Sequence, residues 1–205
     1  MVVFVPFAWI LGFYLVGSFP TAYILVRLVT GHDIRQMGTT NVGSLNAYRQ
    51  VGLRGAIPVL LVDAGKGIVA VSVPIWMGAP QWLMFVTAIS VVVGHNWPVF
   101  LNFRGGKGAA VILGISLVLA PMLTLITLAS VVFVALITRN VVLGAAFGFV
   151  MWNMLLILTG NDPERMVLCV FLTSVVTITY LVSVRDQVLQ SIKGHRWKEL
   201  FAGLE

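Results

Sequence analysis

The sequence predicts an all-α polytopic membrane protein, a compact bundle of about seven transmembrane or partly re-entrant helices. Of its 205 residues, 59% are hydrophobic and only 10% are charged, which is far too apolar for a soluble domain of this length. Long apolar runs recur along the chain, and they lack the strict alternation that a membrane barrel needs. We therefore expect one integral-membrane domain over residues 1–205.

The apolar runs, in chain order, are residues 2–29, 56–77, 80–101, 109–137, 141–159 and 166–184. The first follows Met1 without a basic leader or a cleavage site of small residues, so we expect one retained helix there. The fourth run is long enough for two short helices that separate near Ala120-Pro121, since proline does not continue a helix. Its first half, 109–119, is short enough to be partly re-entrant.

The positions of Lys and Arg decide how often the chain crosses the membrane, because these residues favour the cytoplasmic side. If the fourth run crosses twice, the basic loops and the basic tail all face the cytoplasm, and only Arg165 lies outside. This predicts seven segments, with the N-terminus outside and the C-terminus inside. The net charge of +6 then serves to orient helices and to meet anionic lipid headgroups, so nucleic-acid binding is not expected.

The cysteine and histidine patterns exclude several kinds of chemistry. Cys169 is the only cysteine, so neither a disulfide nor a cysteine metal site can form within one chain. The three histidines, His32, His95 and His195, lie in separate regions, and none is followed four residues later by aspartate. A Ser-centred G-x-S-x-G nucleophile elbow is also absent from the sequence. We therefore expect no metal, no cofactor and no covalent catalysis.

Three polar islands interrupt the apolar chain, at residues 33–55, 63–67 and 94–108. The first island mixes hydroxyl and amide donors with arginines, which is typical of phosphate binding. Its alternative interpretation is a solvated loop whose Thr and Asn cap helices. The candidate residues of this island are Arg35, Gly38, Thr39, Asn41, Gly43, Asn46 and Arg49.

The second island contains Asp63, Lys66 and Gly67. Asp63 and Lys66 are three residues apart, so they share one helix face inside or near the hydrocarbon. They could form a structural ion pair or take part in substrate binding, and the spacing leaves both open. Lys66 is the better candidate ligand, because a carboxylate repels a phosphate.

The third island combines glycines with cations directly before another apolar run. Gly105, Gly106 and Gly108 allow backbone N–H groups to approach an anion, while Arg104 and Lys107 add charge. His95 and Asn96 open the island. A lone histidine is commonly structural, but this one could also accept a hydroxyl proton or orient a substrate.

Together the three islands resemble the bacterial acyl-phosphate:glycerol-3-phosphate acyltransferase family, the PlsY type, over nearly the whole chain. The family's first motif, R-x-x-G-S-x-N-x-G-A-T-N-x-x-R, keeps its spacing at residues 35–49, and G-H-x-x-P-V-F-x-x-F-x-G-G-K-G matches residues 94–108 position for position. Residues 63–67 resemble the second motif. The chain departs from the family at Thr39, where a serine is usual, at Ser44-Leu45, and in a loosely matching tail around His195.

The resemblance implies transfer of an acyl group from acyl phosphate to the sn-1 hydroxyl of glycerol 3-phosphate, which gives lysophosphatidic acid and phosphate for phospholipid synthesis. It places the chain in the bacterial plasma (inner) membrane, among lipid, with the active site facing the cytoplasm; we expect a monomer. The expected catalytic residues are His95, Thr39, Lys107 and Arg49. The expected substrate-binding residues are Arg35, Gly38, Asn41, Gly43, Asn46, Asp63, Lys66, Gly67, Asn96, Arg104, Gly105, Gly106 and Gly108. A non-catalytic or altered-substrate paralogue and a small anion transporter stay as alternatives.

Overall fold

The structure, a computed structural model, describes residues 4–160 and 162–193, and every regular element in these ranges is helical. Six helical segments are long and apolar enough to cross a membrane, and one further apolar helix is shorter. This confirms the predicted all-α membrane fold and its number of segments. The chain divides into two compact units, Met1–Leu119 and Ala120–Glu205, which are described separately below.

The first unit contains, within its described residues 4–119, six α-helices and two short 3-10 turns. The helices are α1 (Phe4–Ser18), α2 (Thr21–Thr30), α3 (Ser44–Val51), α4 (Leu53–Trp76), α5 (Gln81–Asn96) and α6 (Ala109–Leu119), and the 3-10 turns are Ile34–Gln36 and Val99–Leu101. Helix α1 packs on α5, and α4 packs on α6. The three polar islands all belong to this unit.

The first apolar run is two helices rather than the single helix predicted from the sequence. Helix α1 ends at Ser18, and α2 begins at Thr21 directly after Pro20. Proline has no N–H group and its ring collides with the carbonyl four residues earlier, and at Pro20 the helix is interrupted. The two helices together still form a candidate span of 25 residues, Pro6–Thr30. The break leaves the Phe19 carbonyl available to another element.

Glycines set the close crossings between helices of the first unit. A methyl group on Gly17 would overlap the carbonyl oxygen of Val91 in α5, and one on Gly94 would overlap that of Tyr14 in α1. Small residues allow such backbone contact between membrane helices. Helices α1 and α5 are therefore held at a distance that only glycine permits.

Helices α4 and α6 meet in the same way. A methyl group on Gly67 would overlap the carbonyl oxygen of Val111, and one on Gly114 would overlap that of Ala64. Gly67, which the sequence predicted as a substrate-binding residue, thus lies at a helix crossing. The contact brings α6 and the loop before it alongside the ion-pair region of α4.

The polar loop between α2 and α4 is anchored by apolar side chains. Ile34 and Val42 from this loop are buried in a cluster with residues of α2, α3, α4 and the second 3-10 turn. The buried members are Ala22, Val26, Ile34, Val42, Ala47, Val59 and Leu101. These buried side chains therefore hold the loop against the helices, which differs from the alternative interpretation of a solvated loop.

The second unit contains α7 (Pro121–Thr138), α8 (Val141–Leu158) and α9 (Pro163–Lys193). Helix α6 ends at Leu119 and α7 begins at Pro121, so the predicted division of the long run near Ala120-Pro121 is confirmed. Within the unit, Trp152 Nε1 donates to Thr124 Oγ1 at 3.1 Å, and Asn153 Nδ2 donates to Thr173 Oγ1 at 3.1 Å. These hydrogen bonds link α8 to α7 and to α9.

Candidate functional site

Asp63 and Lys66 form a buried ion pair in the middle of α4. Lys66 Nζ donates to Asp63 Oδ1 at 2.7 Å and to the carbonyl oxygen of Phe19 at 2.6 Å. The two side chains are only 3% and 5% exposed. Thr21 Oγ1 also donates to Asp63 Oδ1, at 3.3 Å. A buried ion pair is stable only when further hydrogen bonds satisfy its polar atoms. The break between α1 and α2 supplies two of these, from the Phe19 carbonyl oxygen and the Thr21 hydroxyl.

His95 lies in the last turn of α5, beside this ion pair. Its Nδ1 is 3.8 Å from Asp63 Oδ1, which is an electrostatic contact and too long for a hydrogen bond. The opposite edge of the imidazole faces Gly106, where a methyl group would overlap Nε2. Both ring nitrogens of this buried histidine thus face protein groups.

The glycine-rich loop folds back onto the end of α5. The N–H of Gly105 donates to the carbonyl oxygen of Asn96 at 3.2 Å, and the N–H of Gly106 donates to that of His95 at 3.0 Å. These two N–H groups therefore bind the loop to α5, whereas the sequence predicted that they bind an anion. Gly108, at φ +84°, adopts a left-handed conformation that favours glycine and directly precedes α6.

The three islands meet around one small cavity. Val42 represents the first island there, Asp63 and Lys66 the second, and His95 with the glycine loop the third. The complete lining is Gly17, Ser18, Phe19, Pro20, Thr21, Ala22, Val42, Asp63, Lys66, His95, Pro98, Leu101, Gly105 and Gly106. The convergence expected from the sequence is therefore present for five of the predicted site residues: Asp63, Lys66, His95, Gly105 and Gly106.

Asn46 organises the first island from within. Its side chain is fully buried, and Nδ2 donates to the carbonyl oxygens of Ile34, Met37 and Asn41 at 3.3, 3.0 and 3.0 Å. Its Oδ1 accepts from the N–H of Thr39 at 3.3 Å. A methyl group on Gly38, which has φ +54°, would overlap the same oxygen. Asn46 thus fixes the backbone conformation around Thr39. Gly43, another predicted site residue, is the N-terminal cap of α3.

Arg35 connects the first island to the third. Its guanidinium binds both carboxylate oxygens of Asp33, with a shortest contact of 2.7 Å, and donates to the carbonyl oxygen of Leu101 at 2.9 Å. It also lies over the ring of Tyr23, 5.3 Å from the centroid. The hydrogen bonds from Arg35 lower the pKa of Asp33, and the carboxylate raises the pKa of Arg35.

The other predicted cations lie nearer the surface. Arg49 and Arg104 are exposed, and Lys107 is partly buried. Burial lowers the pKa of Lys107 from 10.5 to about 8, because a charged ammonium is disfavoured away from water. Asn96 is buried at the end of α5, and its side-chain amide makes no hydrogen bond with the described residues. None of these four lines the cavity; the tail with His195 lies outside the described residues.

Sequence reasoning missed the residues that the break contributes. Ser18, Phe19 and Thr21 line the cavity, and two of them hold the ion pair through Phe19 O and Thr21 Oγ1. The available signal was Pro20 inside an apolar run, because an internal proline indicates an interrupted helix with unsatisfied carbonyls.

These features define a polytopic helical membrane protein in which a buried ion pair and a glycine-rich loop form one polar site. A family model described as glycerol-3-phosphate acyltransferase matches residues 7–193. The chain belongs to this family.

Relatives and a solved structure agree with this assignment. The chain is 42% identical over 151 residues to glycerol-3-phosphate acyltransferase 1 of Dehalococcoides mccartyi, covering 68% of this chain and 72% of the relative. It is 36% identical over 185 residues to glycerol-3-phosphate acyltransferase 4 of the same organism, covering 90% and 100%. It resembles the crystal structure of PlsY (YgiH), an integral membrane glycerol 3-phosphate acyltransferase, in its glycerol 3-phosphate form, with a TM-score of 0.81, 25% identity and 92% of each chain covered.

Proposed function

We propose that this chain is an acyl-phosphate-dependent glycerol-3-phosphate acyltransferase that makes lysophosphatidic acid and inorganic phosphate. The observation that carries the proposal is the meeting of the three islands at one polar site, in a chain whose islands match the family's motifs in spacing. The relatives are named glycerol-3-phosphate acyltransferases.

The reaction asks the protein mainly to position two substrates. The sn-1 hydroxyl oxygen attacks the acyl carbon, a new C–O ester bond forms, the acyl–phosphate C–O bond breaks, and phosphate leaves with the bonding electrons. An acyl phosphate is a mixed anhydride with a good leaving group, so proximity and orientation supply much of the rate. Because one ring nitrogen of His95 faces Asp63 and the other faces Gly106, we assign the hydroxyl proton to a phosphate oxygen and give His95 no contact with the substrate.

Cations must offset the repulsion between the two substrates. Roughly four negative charges meet at the site, and at an effective dielectric near 20 each pair 4 Å apart costs about 4 kcal/mol. We assign the glycerol 3-phosphate group to Arg49 and Lys107, with Arg104 as a third cation. The first-turn N–H groups of α6, after Gly108, have no intrahelical acceptor, and we assign them to the same phosphate. Thr39 and Asn41 supply hydrogen bonds from the first island.

The membrane orientation follows from the same charges. Positive-inside placement of Arg35, Arg49, Arg104 and Lys107 puts the site at the cytoplasmic face of the bacterial plasma membrane, with the N-terminus outside and the C-terminus inside. The acyl chain then enters sideways between apolar helices while glycerol 3-phosphate arrives from the cytosol. We propose that one chain is sufficient for the reaction.

The distribution of buried charge favours an enzyme over an anion transporter. A transporter path needs polar groups spread through the depth of the membrane. Among residues 6–160, 162–183 and 185, whose burial the structure describes, the buried charged or imidazole side chains are Asp63, Lys66 and His95, and Asp63 is in contact with both of the others. They form one cluster rather than a series.

The proposal is tested with purified protein, palmitoyl phosphate and labelled glycerol 3-phosphate. We expect lysophosphatidic acid and inorganic phosphate in equal amounts, and at least about a hundredfold loss of kcat/KM in the Lys107→Ala variant. Arg165→Ala, which removes an exposed cation of the second unit, is the matched control and should keep wild-type activity. A wild-type chain that forms no product with any acyl phosphate would contradict the proposal.

The Thr39 position separates an active enzyme from a non-catalytic or altered-substrate paralogue. Threonine keeps the hydroxyl of the family's usual serine and adds a methyl group, which restricts the rotamer. We expect the native chain and its Thr39→Ser variant to differ by less than about threefold in kcat/KM. Activity present only after Thr39→Ser would instead identify a diverged paralogue.

A further inference from the structure

We propose that Asp63, Lys66 and His95 are positioning residues, which lock the glycine-rich loop against the break in the first membrane segment, and that none of the three binds the substrate. The inference rests on the proposed function, since it concerns how the loop that carries Lys107 is held. It departs from the sequence-based prediction that Lys66 is a phosphate ligand.

The first step is the state of the Lys66 ammonium. Its Nζ already donates to Asp63 Oδ1 at 2.7 Å and to the Phe19 carbonyl at 2.6 Å, and the side chain is 5% exposed. A phosphate that bound Lys66 directly would have to enter a buried place and separate an ion pair. Removing one partner of such a pair leaves an uncompensated charge, which is strongly unfavourable. The Lys66 ammonium therefore bonds to groups of the protein and does not bind the substrate phosphate.

The second step is the carboxylate. Asp63 Oδ1 accepts from Lys66 and from Thr21, and it faces Nδ1 of His95 at 3.8 Å. One oxygen therefore joins three elements, α2, α4 and α5. The charge of Asp63 holds the ammonium under the Phe19 carbonyl and lies at the edge of the imidazole.

The third step connects the imidazole to the loop. Gly106 packs on Nε2 of His95 so closely that no side chain fits, and its N–H donates to the His95 carbonyl oxygen at 3.0 Å. Lys107 follows Gly106 directly. A shift of His95 therefore moves the backbone that carries Lys107, and this gives the buried ion pair a route to the surface where the phosphate is proposed to bind.

The test compares Lys66→Met with the neutral double variant Asp63→Asn/Lys66→Met. The single variant leaves a buried unpaired carboxylate, whereas the double variant removes both charges and keeps similar volumes. We expect the single variant to raise the KM for glycerol 3-phosphate about tenfold or more, and the double variant to return it to within about threefold of wild type. If Lys66 binds the phosphate, KM stays equally high in both variants, which would overturn the inference.

The measured quantity separates positioning from a loss of fold. A smaller folded fraction lowers the apparent kcat and leaves KM unchanged, whereas a displaced loop changes KM. Gly65→Ala is the matched control in α4, because a methyl group there meets nothing within 4 Å, and it should keep the wild-type KM. If Lys66→Met does not fold, the KM of the double variant alone decides between the two roles.

The outcomes also distinguish this inference from the proposed function. A wild-type chain without activity contradicts the proposed function. An active wild-type chain whose double variant keeps a strongly raised KM contradicts the positioning role alone.

Discussion

Gly106 lies against the imidazole of His95, and a methyl group on its α-carbon would overlap Nε2. The prediction from this contact is that Gly106→Ala displaces either the ring or the loop. Overpacking of this kind costs about 1–3 kcal/mol, and we expect kcat/KM for glycerol 3-phosphate to fall by at least about tenfold. Gly12→Ala, where the added methyl group has open space, is the control. Unchanged kinetics in Gly106→Ala would show that the contact is not tight.

The Asn46 amide predicts a large effect of a change of one atom. In Asn46→Asp, an oxygen replaces the nitrogen that donates to the carbonyl oxygens of Ile34, Met37 and Asn41. Each buried acceptor that loses its donor costs about 1–3 kcal/mol. We expect a lower thermal unfolding temperature and faster hydrogen exchange of residues 34–41. Gln50→Ala removes only a bond to Asn46 Oδ1 and should have a much smaller effect; equal effects of the two variants would contradict the prediction.

The lowered pKa of Lys107 predicts a pH dependence of substrate binding. A lysine with a pKa of about 8 loses its charge as the pH rises through that value, so its attraction for phosphate is present below it and lost above it. We expect the KM for glycerol 3-phosphate to increase between about pH 7 and pH 9. Lys107→Arg keeps its charge throughout this range, and its KM should stay constant. An identical increase in the arginine variant would assign the titration to another group.

The crossing of α4 and α6 predicts that Gly114 tolerates no side chain. In Gly114→Ala the new methyl group would overlap the carbonyl oxygen of Ala64, so the helices must separate. We expect a thermal unfolding temperature several degrees lower, consistent with about 1–3 kcal/mol for overpacking. Gly65→Ala in the neighbouring helix serves as the control. A variant as stable as wild type would mean that the helices separate without cost.

The helix pattern was largely readable from the sequence, because apolar length determines membrane segments. The Ala120-Pro121 break was predicted, because the positions of Lys and Arg require the fourth run to cross the membrane twice. The break at Phe19-Pro20 was not predicted, because one crossing of the first run already agrees with those positions. The break contributes to the site because the Phe19 carbonyl oxygen there accepts a hydrogen bond from Lys66.

The candidate site could be predicted only in part from the sequence, because the contacts that form it join residues far apart along the chain. The spacing of Asp63 and Lys66 left an ion pair and a substrate-binding role both open, and the structure contains the ion pair. Nothing local indicated that Gly106 would pack on His95. The N–H groups of Gly105 and Gly106 bond to carbonyl oxygens of α5, and a sequence motif does not reveal which donors the fold itself uses. Long-range partners of this kind are set by tertiary packing alone.

The hydrogen bond between Lys66 and the Phe19 carbonyl spans 47 positions of the chain, and this has a consequence for biogenesis. A ribosome synthesises the interrupted first segment well before it reaches the lysine. During that interval the carbonyl at the interruption has only the N–H of Thr21, 3.1 Å away, as its partner, and hydrocarbon favours full hydrogen bonding of such a group. The hydrogen bonding of the leading segment is therefore complete only after its later-born neighbour has been inserted beside it.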